Sequence, residues 1–246
     1  MMVTPGTLLA AAWRLFRRDR AAMGAIAGLF VFLPAFAVLL LSDPIPPLPA
    51  APRDQAAMQG WMDAVMAWGR GNAPGYVLAD LVGLFGAAAI AILLLAPTQP
   101  TVAEALRLAA RRIVPFALVS LLTAVPVGLG LWLFVLPGLY AQARLLLAIP
   151  LLAAEPAAGV GDALSGSLRR TRGLGLAITG ALVALFLAQW IVAVPLMSAD
   201  DWLRAPGNGN PLVLALVDAG IAAAGAAWRV AALLVGIVVY RARRGS

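Results

Sequence analysis

Long apolar segments constrain the fold of this 246-residue chain more than any other feature. The run from Ile113 to Ala154 contains one charged residue, Arg144, and is too long for a single membrane crossing. About 20 apolar helical residues cross the hydrocarbon core of a bilayer. Turn residues at Leu136-Pro137-Gly138 predict that this run folds back as a tight hairpin. Six transmembrane helices are therefore predicted, at roughly 21–41, 76–96, 113–135, 138–154, 174–197 and 212–240.

The composition agrees with a membrane protein and argues against most enzyme classes. The chain is 63% hydrophobic and 12% charged, whereas a soluble domain is roughly 45–50% apolar and about 25% charged. It contains no cysteine and no histidine, which removes the commonest metal ligands and the commonest general base. No nucleotide-binding motif is found, and the arginine clusters are too short to indicate nucleic-acid binding. We predict an all-α integral membrane protein that is not an enzyme and uses no cofactor or metal.

A short amphipathic phrase ending in Arg-Arg occurs three times, each time before a long apolar segment. The second and third copies share Val-x-[Asp/Glu]-Ala-Leu-x4-Arg-Arg. Amphipathic helices that carry arginine usually lie in the membrane interface. The spacing predicts a capping box between Thr101 and Glu104 in the second copy, and Asp162 as the N-cap of the third. The three copies cover residues 7–18, 101–112 and 159–170.

This repetition predicts a single membrane domain over residues 1–246, made of three similar units. Each unit would consist of a cytoplasmic interfacial helix followed by a hairpin of two spans. The longest extracytoplasmic loop, 42–75, is predicted to carry an amphipathic helix that lies on the membrane surface. The unit boundaries are at about 5–96, 97–155 and 156–246.

The placement of arginine predicts the orientation of the spans, because cytoplasmic loops carry an excess of positive charge. Arg53, Arg70 and Arg204 are on one side, and two more arginines lie within spans. The remaining thirteen fall on the other side, so both termini are predicted to be cytoplasmic, in a bacterial inner membrane. Anionic lipid headgroups are the predicted partners there. These thirteen are Arg14, Arg17, Arg18, Arg20, Arg107, Arg111, Arg112, Arg169, Arg170, Arg172, Arg241, Arg243 and Arg244.

Three charged residues inside the predicted spans form a candidate polar cluster: Asp80, Arg144 and Asp218. A charge near the middle of a bilayer costs roughly 2.5–3.5 kcal/mol on insertion scales, so such groups usually find partners. We expect Arg144 to pair with Asp80, with Asp218 or with both. The cluster would be either a binding or translocation site, or a structural ion pair that fixes helix register. Arg229, which has no obvious partner at its own depth, is expected to extend toward the cytoplasm.

One stretch of the chain resembles a known family. It reads Pro137-Gly138-Leu-Tyr140-x3-Arg144-x5-Pro150-x4-Glu155, followed by Ala163-Leu164-x2-Ser167-x3-Thr171-x-Gly173. This pattern resembles the membrane domain attached to some bacterial glycerophosphodiester phosphodiesterases, and the related six-span inner-membrane proteins of unknown function. Arg170 departs from the apolar residue usual before the threonine. The soluble phosphodiesterase barrel of the fused relatives has no counterpart here, so the resemblance implies the membrane architecture and no phosphodiesterase activity.

The sequence favours a non-enzymatic membrane protein with a role in membrane or envelope homeostasis through lipid contact; that role rests on the resemblance. Two alternatives stay open. The chain could be a transporter or lipid-translocating protein that uses Asp80, Arg144 and Asp218, or it could be a membrane platform for a separate soluble hydrolase.

Overall fold

A computed structural model describes residues 3–51, 54–205 and 207–244. These residues are 84% helix and include no strand. The predicted all-α class is confirmed, and six helical segments are long and apolar enough to cross a membrane. Arg53, used in the prediction of orientation, lies outside the described residues. The six segments are Arg20–Leu41, Gln55–Leu95, Ile113–Leu133, Val135–Ala154, Gly175–Arg204 and Pro211–Arg244.

The first membrane-crossing segment follows a separate N-terminal helix, α1 (Pro5–Arg18), and is itself divided into three parts. Its middle part is a π-helical turn. Pro34 lies just beyond this turn. Because proline lacks an N–H and its ring crowds the carbonyl four residues earlier, a wider helical turn before it relieves the clash. The three parts are α2 (Arg20–Ala27), the π turn (Gly28–Phe32) and α3 (Leu33–Leu41).

The second crossing segment is part of one 41-residue helix, α4 (Gln55–Leu95). The helix predicted within loop 42–75 is present, but it continues directly into the span instead of lying separately on the surface. Two tryptophans tie it to the preceding extended chain. The indole Nε1 of Trp61 donates to the Pro46 carbonyl at 3.1 Å, and that of Trp68 to the Asp43 carbonyl at 2.8 Å.

Three short helices begin with similar local hydrogen bonds. In α5 (Val102–Arg111), the Thr101 N–H donates to Glu104 at 2.8 Å, which confirms the predicted capping box. The third helix, α9 (Val160–Arg170), begins one turn earlier than predicted, because the Gly159 N–H donates to Asp162 at 3.0 Å. Asp162 therefore occupies the third helical position and is not the N-cap. At the start of α1, the Thr4 N–H donates to the Thr7 hydroxyl at 3.0 Å.

The long apolar run divides at Phe134, three residues before the proline predicted to form the turn. Phe134 has extended backbone angles between α6 (Ile113–Leu133) and α7 (Val135–Leu145). Pro137 lies in the first turn of α7, where the missing N–H costs little. Gly138 permits close contact between the two helices, since a Cβ on Gly130 would lie 2.7 Å from its Cα.

The remaining helices complete the buried core. Leu146 and Leu147 separate α7 from α8 (Ala148–Ala154). Helices α10 (Gly175–Arg204) and α11 (Pro211–Arg244) pack along each other, and α1 packs against both. The core is centred on α8 and the second halves of α4 and α11, and its fully buried large side chains include Ile90, Ile92, Leu147, Leu152, Ile237 and Tyr240.

Candidate functional site

The three charges predicted to form one cluster lie at three separate places. Arg144 makes no ion pair with Asp80 or Asp218, so the predicted pairing is wrong. Each aspartate has an arginine partner from elsewhere in the chain: Arg229 for Asp80 and Arg204 for Asp218. The prediction that Arg229 has no partner and extends toward the cytoplasm is also wrong.

Asp218 belongs to a buried network at the ends of three helices. Its side chain is 1% exposed, and Arg204 donates to it through an N–H···O contact of 3.3 Å. The same guanidinium contacts both carboxylate oxygens of Asp200, at 3.0 and 2.9 Å, and reaches the Leu39 carbonyl at 3.5 Å. A single arginine therefore links α3, α10 and α11, and this arrangement fixes their register.

Asp80 and Arg229 form a pair of a different kind. The Arg229 guanidinium donates to the Asp80 carboxylate at 2.6 Å, yet the two side chains are 64% and 52% exposed. Asp80 lies 15 residues before Leu95, the end of α4, and Arg229 lies 15 residues before Arg244, the end of α11. At a rise of 1.5 Å per residue, each position is roughly 22 Å from the end of its helix, well inside the crossing segments.

This exposed pair borders a cavity of about 440 Å³ between α4, α6, α7, α8 and α11. We call it the crevice. Its polar lining residues are Asp80, Arg229, Ser120, Thr123 and Gln142. The Thr123 hydroxyl donates within its own helix to the Ser120 carbonyl at 2.9 Å. Among the described residues, the Ser120 hydroxyl and the Gln142 amide have no hydrogen-bond partner, so both are available to water or a ligand.

The sequence contained a signal for part of this site. Ser120 and Thr123 are three residues apart in an otherwise apolar span, so they share one helix face. That spacing alone could not show that the face meets α4 and α11. Nor could it show that Asp80 and Arg229, 149 positions apart, come into contact.

Arg144 instead stabilises the fourth crossing segment where its helix is interrupted between α7 and α8. Its guanidinium donates to the Leu168 carbonyl at 2.7 Å. Its own carbonyl accepts from the Ser167 hydroxyl at 2.8 Å and from Thr171 at 3.2 Å. The Leu147 N–H, freed by the break, donates to Ser167 at 3.1 Å. Side chains of α9 thus satisfy the backbone groups that the α7–α8 break exposes.

A second junction lies where α8 ends. Glu155 accepts from Arg170 at 2.8 Å and from the Tyr240 hydroxyl at 3.1 Å. The Arg170 guanidinium also lies over the Tyr240 ring, 5.1 Å from its centroid. Burial lowers the pKa of Arg170, but the hydrogen bonds with Glu155 and Tyr240 outweigh it and raise the pKa. The junction joins α8, α9 and the last turn of α11.

The other residues of the family-like pattern pack around these two junctions. Pro150 is buried and lies close to Gly236 of α11. Tyr140 contacts the start of α10, because a Cβ on Gly175 would lie 3.1 Å from its ring. Gly173 has a positive φ of 79°, which permits the turn from α9 into α10. Ala163 is buried and Leu164 packs against the core, while Pro137 and Gly138 begin α7.

Comparison with known proteins finds no matching family model, no matching curated protein and no matching solved structure. Within residues 3–51, 54–205 and 207–244, no three acidic side chains come together in a way that could hold a metal ion. The crevice and its ion pair are therefore the candidate site.

Proposed function

We propose that this chain is a non-enzymatic, multi-pass protein of the bacterial inner membrane that binds and passes a small zwitterionic group through the crevice. The exposed Asp80–Arg229 pair, inside segments apolar enough to cross a membrane, is the observation that supports this most strongly.

Exposure argues against a purely structural pair. Ionised groups inside a membrane face the protein interior or a water-filled cavity, because hydrocarbon does not solvate charge. Asp80 and Arg229 form an ion pair with each other, yet each side chain is more than half exposed. In a bilayer, water or a polar ligand must cover that exposed surface, and the crevice provides the space for it.

The charges indicate the class of ligand. Asp80 supplies one negative group and Arg229 one positive group, so the pair matches a molecule that carries both an ammonium and an anion. Ser120 and Gln142 offer further hydrogen-bonding groups that the described residues leave unused. Such a zwitterion could be a free solute or the headgroup of a zwitterionic phospholipid.

The orientation and the three-unit organisation form part of the same proposal. The similar hydrogen bonds at the starts of α1, α5 and α9 support three related interfacial helices. Each of these helices buries small or apolar side chains and ends in arginine. With thirteen arginines on one side, we place both termini in the cytoplasm.

The family resemblance supports the architecture of this proposal. The pattern residues meet at the two junctions that hold α8 and α9, with Arg144 and Glu155 at their centres. We therefore assign them to fold stability, apart from the crevice. A role as a platform for a soluble hydrolase stays a prediction from the sequence.

The proposal is tested by reconstituting the purified protein into vesicles of phosphatidylethanolamine and phosphatidylglycerol. One assay follows the efflux of trapped radiolabelled phosphoethanolamine. The other follows bleaching by external dithionite of phosphatidylethanolamine labelled with a fluorophore on its acyl chain. Protein-dependent efflux identifies a free solute as the source of the zwitterion, and bleaching beyond the outer leaflet identifies the lipid headgroup.

In whichever assay gives a protein-dependent signal, Asp80→Asn and Arg229→Gln should each lower the rate about ten- to a hundredfold. Each substitution removes a charged hydrogen bond to the zwitterion, worth roughly 1.5–3 kcal/mol. The exposed Asp201→Asn is the matched control and should leave the rate unchanged. Absence of protein-dependent signal in both assays, or equal rates in the variants and the control, would contradict the proposal.

A further inference from the structure

An apolar groove of about 690 Å³ lies beside α11, and it shares only the lining residues Trp228 and Val230 with the crevice. It runs between α1 and α2 on one side and α10 and α11 on the other, and we call it the lateral groove. Its lining is almost entirely apolar. On the α1 side, the rings of Trp13 and Phe16 stack with 5.6 Å between their centroids. The volume lies within the roughly 300–1,000 Å³ of pockets that hold small organic ligands.

Small residues on two facing helical segments create the lateral groove. On α2 and the π turn, Gly24 and Gly28 have no atom within 4 Å of the position that a Cβ would occupy. On α11, Ala223, Ala227 and Ala231 are spaced four residues apart and line the facing wall. The groove is thus open space that the sequence leaves unfilled along one continuous face of each helix.

Two arginines stand at one end of the lateral groove. Arg20 precedes Gly24 by one turn on the same face of α2, and Arg17 follows Trp13 by one turn on the same face of α1; Gly24 and Trp13 both line the groove. Both arginines are exposed, and among the described residues neither has an ion-pair or hydrogen-bond partner through its side chain. In contrast, Arg241 donates to the Leu94 carbonyl at 2.6 Å. Arg17 and Arg20 are therefore free to bind an anion.

The length of the lateral groove matches one leaflet. From Arg20 to Phe32, the last residue of the π turn, there are 12 residues, or roughly 18 Å at 1.5 Å per residue. Half of a hydrocarbon core of about 30 Å is about 15 Å. A second copy of the chain would suit this groove poorly, because an isologous contact would bring two pairs of unpaired arginines together.

We infer that the lateral groove binds one anionic phospholipid, with an acyl chain along the groove and the headgroup phosphate on Arg17 and Arg20. Charge at the end of the groove selects an anionic headgroup, since each arginine near a membrane surface attracts anionic lipid. This site is separate from the crevice and does not depend on the proposed function.

Native mass spectrometry of the full chain in detergent tests the inference, with phosphatidylglycerol and phosphatidylcholine of identical acyl chains as the probes. The wild-type protein should retain one phosphatidylglycerol in preference to phosphatidylcholine. Arg17→Gln combined with Arg20→Gln should weaken phosphatidylglycerol binding about 30-fold. Each arginine contributes about 1 kcal/mol to the attraction of anionic lipid, and the loss of about 2 kcal/mol corresponds to this factor. Gly28→Leu should abolish the retention of both lipids, because no atom lies within 4 Å of the Cβ position at Gly28 and the longer side chain would occupy space in the groove.

Two matched controls separate the lateral groove from general effects. Arg111→Gln removes an exposed arginine from the last turn of α5, and Gly128→Leu adds the same side chain at another open position, on α6. Both should bind phosphatidylglycerol like the wild type. The inference is overturned if these controls lose as much affinity as the groove variants, or if Gly28→Leu still retains lipid. It is also overturned if the wild type is a dimer that Gly28→Leu converts to monomers.

Discussion

Two pairs of an aspartate and an arginine lie inside the crossing segments, and they differ in almost every physical respect. Asp218 is 1% exposed, its partner Arg204 is 20% exposed, and that arginine is shared with Asp200. Asp80 and Arg229 have a shorter contact, 2.6 Å against 3.3 Å, but each is more than half exposed. The first pair is enclosed by helices that it holds together, whereas the second borders open space.

A charge inside a crossing segment therefore does not by itself identify a functional site. A buried pair must be complete, because removal of one partner leaves an uncompensated charge in a medium of low dielectric. An exposed pair keeps access to water or ligand, so it can change partners during function. Burial, together with the identity of the partner, distinguishes the two roles.

Removal of the arginine from the buried pair should have the largest effect on stability. Arg204→Gln leaves the carboxylates of Asp200 and Asp218 without a cation. We expect a loss of about 3–5 kcal/mol in the free energy of unfolding, the usual cost of breaking a buried ion pair. Equilibrium unfolding of the detergent-solubilised protein, followed by circular dichroism, measures this loss. A change of less than 1 kcal/mol would remove the distinction between the two pairs.

A buried neutral contact should follow the same rule with a smaller effect. Ser167→Ala removes the hydroxyl that bonds both the Leu147 N–H and the Arg144 carbonyl. We expect a loss of about 1–3 kcal/mol, because a buried backbone donor is left unpaired. Ser165→Ala on the same helix is the control. Its exposed hydroxyl contacts only the Asp162 carbonyl, at 3.3 Å, so unfolding of this variant should match the wild type.

Neutralisation of the exposed pair should change stability least among the ion-pair variants. Asp80→Asn and Arg229→Gln should each alter the free energy of unfolding by about 1 kcal/mol or less, as for other exposed ion pairs. The same unfolding assay measures both. A loss as large as that of Arg204→Gln would mean that the Asp80–Arg229 pair is structural, and the crevice would lose its main support.

The smallest effect concerns an exposed carboxylate at the start of α5. The pKa of Glu104 lies below its usual value, chiefly because the Thr101 N–H donates to it and secondly because the Thr101 hydroxyl does. The capping interaction therefore stabilises the folded protein fully at pH values above the usual carboxyl pKa. This stabilisation is lost as the pH falls through the lowered pKa of Glu104.

Amide hydrogen exchange checks this pH dependence. Protection of the Thr101 N–H should fall in acid relative to the Thr4 N–H, whose acceptor is the hydroxyl of Thr7 and does not titrate. Glu104→Gln should remove the difference between the two amides. If the ratio of the Thr101 and Thr4 protection factors in the wild type stays constant down to low pH, the capping role of the Glu104 carboxylate is contradicted.

Most of the fold could be predicted from the sequence, because span length and the period of apolar residues are local properties. The six segments are confirmed, with ends that shift by up to seven residues outside the long helix α4. The break at Leu146–Leu147 was not predictable, since it depends on the Ser167 side chain of a helix that lies elsewhere in the sequence. The turn at Phe134 depends likewise on the contact between Gly130 and Gly138.

The candidate site was predicted only in part. Asp80 and Asp218 could be recognised as unusual because each is an ionised group in an apolar segment. Their partners could not be recognised, since helical position fixes the face of a residue but not which neighbouring helix that face meets. Arg144 was misassigned for this reason, and Arg229, on the same helix as Asp218, instead faces α4.

Water access to the crevice is the most direct test of the account. The chain has no cysteine, so Ser120→Cys and Leu121→Cys each introduce a single thiol on adjacent positions of α6. Ser120 lines the crevice, whereas Leu121 is 64% exposed on the outer surface of the bundle. With a membrane-impermeant charged thiol reagent on the protein in vesicles, we predict rapid labelling at position 120 and none at position 121. Protection of position 120 in the folded protein would contradict the account.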